Sequence, residues 1–146
     1  MSQRQITLSI DSSLDDVFLV GLAVSKICSC IRLTELECYQ MEVCVVEAVT
    51  SAIKYAYGGE NCGRVDVAIA VLSDRVQFSV RDSGKALSEE DLGVIQGDPA
   101  RSDFSGLSES GRGLFIVGGF MDQLSYASEE GQNTLSMVKS LVPVRA

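Results

Sequence analysis

The chain has 146 residues, 46% hydrophobic and 22% charged, which suits one domain with a buried core and excludes a disordered composition. Twelve Lys and Arg stand singly against twenty Asp and Glu, a net charge of −8 that excludes a generic phosphate-backbone binder and suits a partner carrying positive charge. Histidine is absent, which excludes Ser-His-Asp triads, Cys-His dyads, His-ligated metals and phosphohistidine chemistry within the chain and leaves Asp, Glu, Lys or Tyr as general base.

From the N-terminus, Gln5 to Ile10 alternates with Ile6, Leu8 and Ile10 on one side, which predicts a strand with one buried face. Ser13 with Asp16 predicts a capping box, followed by an amphipathic helix with Val17, Val20, Val24, Ile27 and Ile31 at three-and-four spacing. A second capping box, Thr34 with Glu37, opens a longer helix whose expected stripe is Leu36, Tyr39, Val43, Val46, Thr50, Ile53 and Tyr57. Gly58-Gly59 ends it, because glycine takes the left-handed cap without steric cost.

The period then changes to two. Val65, Val67, Ile69 and Val71 share a face, Ser73-Asp74 turns the chain, and Val76, Phe78 and Val80 return, a hairpin of an antiparallel sheet covered on one side. Ser83 to Ser110 is rich in Gly, Ser and Asp with weak periodicity, and so long a loop points to a lid or binding loop. A helix resumes from Gly111 to Met121, and two short strands, Leu124–Ala127 and Thr134–Leu141, flank a turn at Glu129-Glu130-Gly131. The expected fold is α/β (α+β): a two-layer sandwich of a mixed, mostly antiparallel sheet with helices on one face, in a single domain over 1–146.

Cys28, Cys30, Cys38, Cys44 and Cys62 are odd in number and irregularly spaced, which reads as reduced structural thiols rather than a zinc site. The N-terminus lacks a signal-peptide core, and the longest apolar run, Val17 to Val24, is too short to span a bilayer. A cytoplasmic protein with no membrane partner and no direct nucleic-acid partner is expected.

Three stretches could carry chemistry. On the longer helix, Glu47, Ser51, Lys54 and Tyr55 fall on one stripe, where a carboxylate, a hydroxyl and an ammonium could hold a magnesium-phosphate group, although spacing alone favours a solvated helix edge. Arg81-Asp82-Ser83-Gly84 follows a strand; Asp82 could accept from an exocyclic amine with Gly84 allowing close approach, or the motif could be an ordinary turn. Ser110-Gly111-Arg112-Gly113-Leu114 opens a helix, where free amides, the helix dipole and Arg112 suit a phosphate, or the glycines serve as a hinge.

Taken in order, Glu-Ala-x-Thr-x-Ala-Ile from Glu47, Asp-x-Gly from Asp82 and Gly-x-Gly-Leu from Gly111 resemble the GHKL ATPase superfamily with its Bergerat ATP-binding fold. Gly118-Gly119-Phe120-Met121-Asp122 and Gly131-Gln132-Asn133-Thr134-Leu135 extend the likeness over nearly the whole chain, which looks like the anti-sigma factor serine kinases of bacterial partner switching. The resemblance implies ATP and magnesium as cofactors and Glu47 as the general base for a substrate serine. It implies Asp82 at the adenine amine with Gly84 beside the ring, and Gly111, Arg112 and Gly113 over the phosphates. It further implies Ser51, Lys54, Tyr55, Leu114 and Thr134 around the nucleotide, and a lid at about 83–110. The partners implied are an anti-sigma factor antagonist of STAS type and a sigma factor. An exposed apolar patch on the first helix would favour a homodimer. Ser51 stands where the family has a magnesium-binding Asn, which makes Ser51, near Glu47, the metal candidate and raises the alternative of a catalytically impaired binding module of the same fold.

Overall fold

A computed structural model describes residues 3–60, 62–97 and 106–142. In chain order the elements are β1 (Arg4–Asp11), α1 (Val17–Cys28), α2 (Glu35–Ser51), β2 (Arg64–Val71), β3 (Arg75–Asp82), α3 (Glu89–Gln96), α4 (Glu109–Phe120), β4 (Gln123–Glu129) and β5 (Gln132–Ser140). The strands form one sheet in the order β1-β2-β3-β5-β4, antiparallel at every junction. Helices cover one face, giving the α+β two-layer sandwich. Period-two alternation sends Val65, Val67 and Ile69 of β2, Val76, Phe78 and Val80 of β3, and Leu135 and Met137 of β5 into the core, with Phe78 fully enclosed. Among the described residues no helix is long and apolar enough to cross a membrane.

The Thr34–Glu37 capping box forms as expected: Glu37 N donates to Thr34 Oγ1 at 3.1 Å and Thr34 N donates to Glu37 Oε1 at 2.9 Å. The box at Ser13 does not. Ser13 N donates to Asp11 O at 2.6 Å and Asp16 N to Ser13 O at 3.1 Å, so backbone bonds close a 3-10 turn, Leu14–Asp16, and no side chain caps α1.

The stripe expected on α2 is corrected at its start, while Ile53 is fully buried and Val46 and Tyr57 pack against the core as expected. Leu36 and Tyr39 are 64% and 62% exposed, while Cys38, Met41, Cys44, Val45, Ala48 and Val49 are buried. Two rows at three-and-four spacing run along this helix, and the row from Cys38 to Val49, mostly small residues around Met41, faces inward against the sheet and the neighbouring helices. On the other flank, Gly21 of α1 approaches so tightly that an added Cβ would lie 3.0 Å from Val46 Cγ2.

The long loop expected from Ser83 to Ser110 contains α3, whose N-cap Ser88 accepts from Asp91 N at 3.1 Å and whose first turn carries Glu89, Glu90 and Asp91. Part of the expected lid, 98–105, lies outside the described residues. The last hairpin is longer than expected on both sides of its turn, where Glu130 and Gly131 adopt positive φ.

Candidate functional site

Inward alternation along β3 ends on Asp82, a carboxylate only 9% exposed. Its Oδ1 accepts from Gly84 N at 2.9 Å and from Asn133 Nδ2 at 2.8 Å. The segment after it is clamped from two further directions. Tyr57 Oη accepts from Ser83 N at 2.8 Å while donating to Arg64 O at 2.6 Å, and Lys85 N donates to Ala56 O at 2.7 Å. Gly84 is needed for that second clamp, since a Cβ there would lie 2.4 Å from Ala56 O. Gly84 thus faces the end of the helix after α2, which gives this glycine a packing reason that the sequence did not reveal.

On α2, Glu47 and Ser51 lie one turn apart on the side toward α4. After Ser51 the helix widens into a π-helical segment, Ala52–Ala56, and the extra residue per turn swings the next side chains off the row. Lys54 and Tyr55 are consequently exposed and directed to the start of α4, not to Asp82: Lys54 Nζ sits 3.4 Å from Glu109 Oε1. Tyr55 and Lys54 both hydrogen-bond Glu109 and hold its carboxyl below the usual range, while partial burial raises the Tyr55 phenol.

At α4, Ser108 caps the helix by accepting from Gly111 N at 3.1 Å. Gly113 packs against Glu47, with an added Cβ falling 2.9 Å from Glu47 Oε2. Leu114 is buried, and Arg112 is exposed. Sequence reasoning missed Asp91 of α3, whose buried carboxylate accepts from Ser110 Oγ at 2.6 Å and Ser108 Oγ at 3.3 Å. A carboxylate is favoured at a helix N-terminus by the dipole and the free amides. The only local signal for Asp91 was the Ser88 cap three residues before it.

Ser51 and Ala48 from α2, Asp82 from β3, Leu114 from α4, and Lys85 and Tyr126 line one cavity of about 30 Å³. That is room for about one water and not for a base, so a base enters only if the lining yields. A wider groove of about 540 Å³ lies across α4, beside Val94, Phe115 and Leu124, and takes in Leu114 together with Gly118, Gly119, Met121 and Asp122 of the later glycine stretch. Thr134 does not reach the cavity. It pairs with Arg81 and faces the open side of the sheet, while Asn133, opposite Asp82, points inward. The period of two fixes this parity.

The model of the histidine kinase-like ATPase domain matches residues 10–139. Serine-protein kinase RsbW of Bacillus velezensis is 31% identical over 140 residues, spanning 93% of this chain and 85% of that protein. The RsbW of Staphylococcus aureus is 30% identical over 139 residues, 92% of this chain and 85% of its own. The chain belongs to the RsbW family of histidine kinase-like ATPases. Two solved structures share the fold: the SiaB-SiaC complex from Pseudomonas aeruginosa, with a TM-score of 0.66 at 15% identity over 93% of this chain and 89% of that one, and the RsbU and RsbW domains of a Mycobacterium tuberculosis protein, with 0.66 at 14% identity over 97% of this chain and 34% of that one.

A family of ATPases and kinases implies nucleotide use, and the side chains present fit that chemistry. Asp82 is an ionisable acceptor at the floor of the cavity, suited to an amino group. Glu47 and Ser51 offer two oxygens one turn apart. Among the described residues no three His, Cys, Asp or Glu side chains gather as a metal site.

Proposed function

We propose that this chain is an anti-sigma regulatory factor that transfers the γ-phosphoryl group of ATP, with magnesium, to a serine of an anti-sigma factor antagonist and holds a sigma factor inactive. The observation that carries the reading is that Ser51 and Asp82 line one cavity, with Glu47 one turn before Ser51 and packed against Gly113 of α4. Three separated stretches of chain thereby supply the carboxylate, glycine-rich helix start and buried acceptor that a nucleotide kinase needs.

Bound ATP supplies the phosphoryl group and magnesium the charge neutralisation for its transfer. Asp82 accepts from the adenine amine. The amides opening α4, with Arg112, bind phosphate oxygens. Ser51, with Glu47 nearby, would hold the magnesium. Glu47 takes the proton of the substrate serine as its oxygen bonds to γ-phosphorus and ADP leaves with the broken bond's electron pair. For this to occur α3 and the first turn of α4 move as a lid, releasing Lys54 from Glu109 toward the phosphates. Sharing one protein surface between antagonist and sigma factor suits partner switching, and the acidic balance of the chain suits basic partner surfaces. Phe18, Leu19 and Leu22, all at least half exposed on α1, support a homodimer, and the family supports a cytoplasmic setting.

The impaired-module alternative rests on Ser51 alone. A serine hydroxyl ligates magnesium in P-loop enzymes, and the relatives quoted above are named as serine-protein kinases. Incubation with γ-labelled ATP, magnesium and the cognate antagonist tests the proposal: label should appear on serine as an acid-stable, alkali-labile ester, and its absence with every divalent metal would refute the kinase.

A further inference from the structure

Asn133 is 1% exposed and lies opposite Asp82 across the β3–β5 pairing. Its Nδ2 donates to Asp82 Oδ1 at 2.8 Å and to Gly84 O at 2.9 Å, and its Oδ1 accepts from Ser128 Oγ at 2.7 Å. Both partners of Nδ2 are acceptors and Ser128 is a donor, so chemistry fixes which way the amide points. With Gly84 N and Asn133 Nδ2 both on Oδ1, the Asp82 carboxylate cannot turn about its bond without losing two hydrogen bonds. None of the described residues bonds Oδ2, the oxygen left for the cavity that Asp82 lines. A carboxylate held this way presents the lone pairs of Oδ2 as a fixed acceptor. It matches a base edge bearing an amino group and repels one bearing a carbonyl, whose oxygen would face it lone pair to lone pair.

We propose that Asn133 is a specificity-determining positioning residue, which by holding Oδ1 keeps Oδ2 of Asp82 aimed at the cavity as an acceptor and so selects a purine with an exocyclic 6-amino group over its 6-oxo counterpart. Acting through Asp82, it needs no contact with the nucleotide. Ser128 supports it from outside by fixing the amide, and the bond from Asn133 to Gly84 O ties the same choice to the turn. This inference rests on the nucleotide reading of the site.

The test compares ATP with inosine triphosphate, which differs at that edge, by calorimetry on the full chain. The wild type should prefer ATP, and Asn133→Ala should lower the ratio of the two affinities about tenfold or more, the worth of one well-placed hydrogen bond. A residue that only supports the fold would weaken both nucleotides alike, so an unchanged ratio overturns the proposal. Ser128→Ala, at an exposed position, should lower the ratio in the same direction by a smaller factor, and it decides the matter if Asn133→Ala does not fold. A wild type that prefers ATP with a ratio unmoved by either substitution removes the role of Asn133 alone. A wild type that binds neither nucleotide removes the nucleotide reading and this inference together.

Discussion

Gly113→Ala separates stability from chemistry. The new Cβ would lie 2.9 Å from Glu47 Oε2, whereas ordinary contact begins near 3.4 Å, so the carboxylate must retreat by about half an ångström. The atom that yields is the end of a flexible side chain, and no backbone stands in the way. Meanwhile alanine replaces glycine inside α4, where helix propensity alone favours it by about 0.5–1 kcal/mol. The folded state should therefore keep its melting temperature or gain a few degrees. Catalysis should respond oppositely, because a general base moved off its line loses up to about a hundredfold in rate. Thermal unfolding by circular dichroism and initial rates of label transfer to the antagonist serine read the two effects in one preparation. A variant that transfers phosphate within twofold of the wild-type rate would refute the place given to Glu47. A variant that melts well below the wild type would refute the packing argument instead.

Other expectations follow from the same contacts. Gly84→Ala sets a Cβ 2.4 Å from Ala56 O, backbone against backbone, and should cost about 1–3 kcal/mol in urea unfolding together with nucleotide affinity; a wild-type midpoint would contradict it. Native-state thiol titration should find Cys30 and Cys62 reactive and the other three silent, because burial pushes the Cys28 and Cys44 thiols up to about 12 and Cys38 is enclosed as well; a third fast thiol would count against the core as described. The hydrogen bond from Thr34 N, with help from Lys139, holds the Glu37 carboxyl below its ordinary range, so its stabilising effect is full above the normal carboxylate value and drains away as pH falls through the lowered one. Glu37→Gln should thus lose about 0.5–1 kcal/mol near neutrality and show a shallower acid-unfolding slope, and an unaltered slope would exclude that role.

What sequence revealed and what it hid have physical reasons. Strands with one wet face advertise themselves by alternation, so Val65 to Val71 and Val76 to Val80 were legible, as was the Thr34 cap, a purely local motif. The inward face of α2 was not, because two apolar rows share that helix and the larger residues, Leu36 and Tyr39, lie on the exposed one. The Ser88 cap and the acidic turn after it marked α3, but its surroundings of Gly, Ser and Asp disguised it. Glu47, Asp82 and Gly113 could be picked out as types, yet the contact of Glu47 with Gly113 depends on α2 packing beside α4, a long-range outcome. The π-helical segment that diverts Lys54 and Tyr55 has no sequence mark. Asn133 could have been found by counting parity back from Leu135 and Met137, which would have turned Thr134 outward. The bonds from Asp91 to Ser108 and Ser110 join residues on different helices and leave no local trace.

Hydrogen exchange with and without ATP and magnesium tests most directly whether distant parts of the chain form one nucleotide cleft. Added nucleotide should slow amide exchange jointly in 47–57, in 82–87 and in 108–114, leaving the outer strand β1 unaffected. Slowing confined to one of these stretches, or located across α4 beside Val94 and Phe115, would contradict the account.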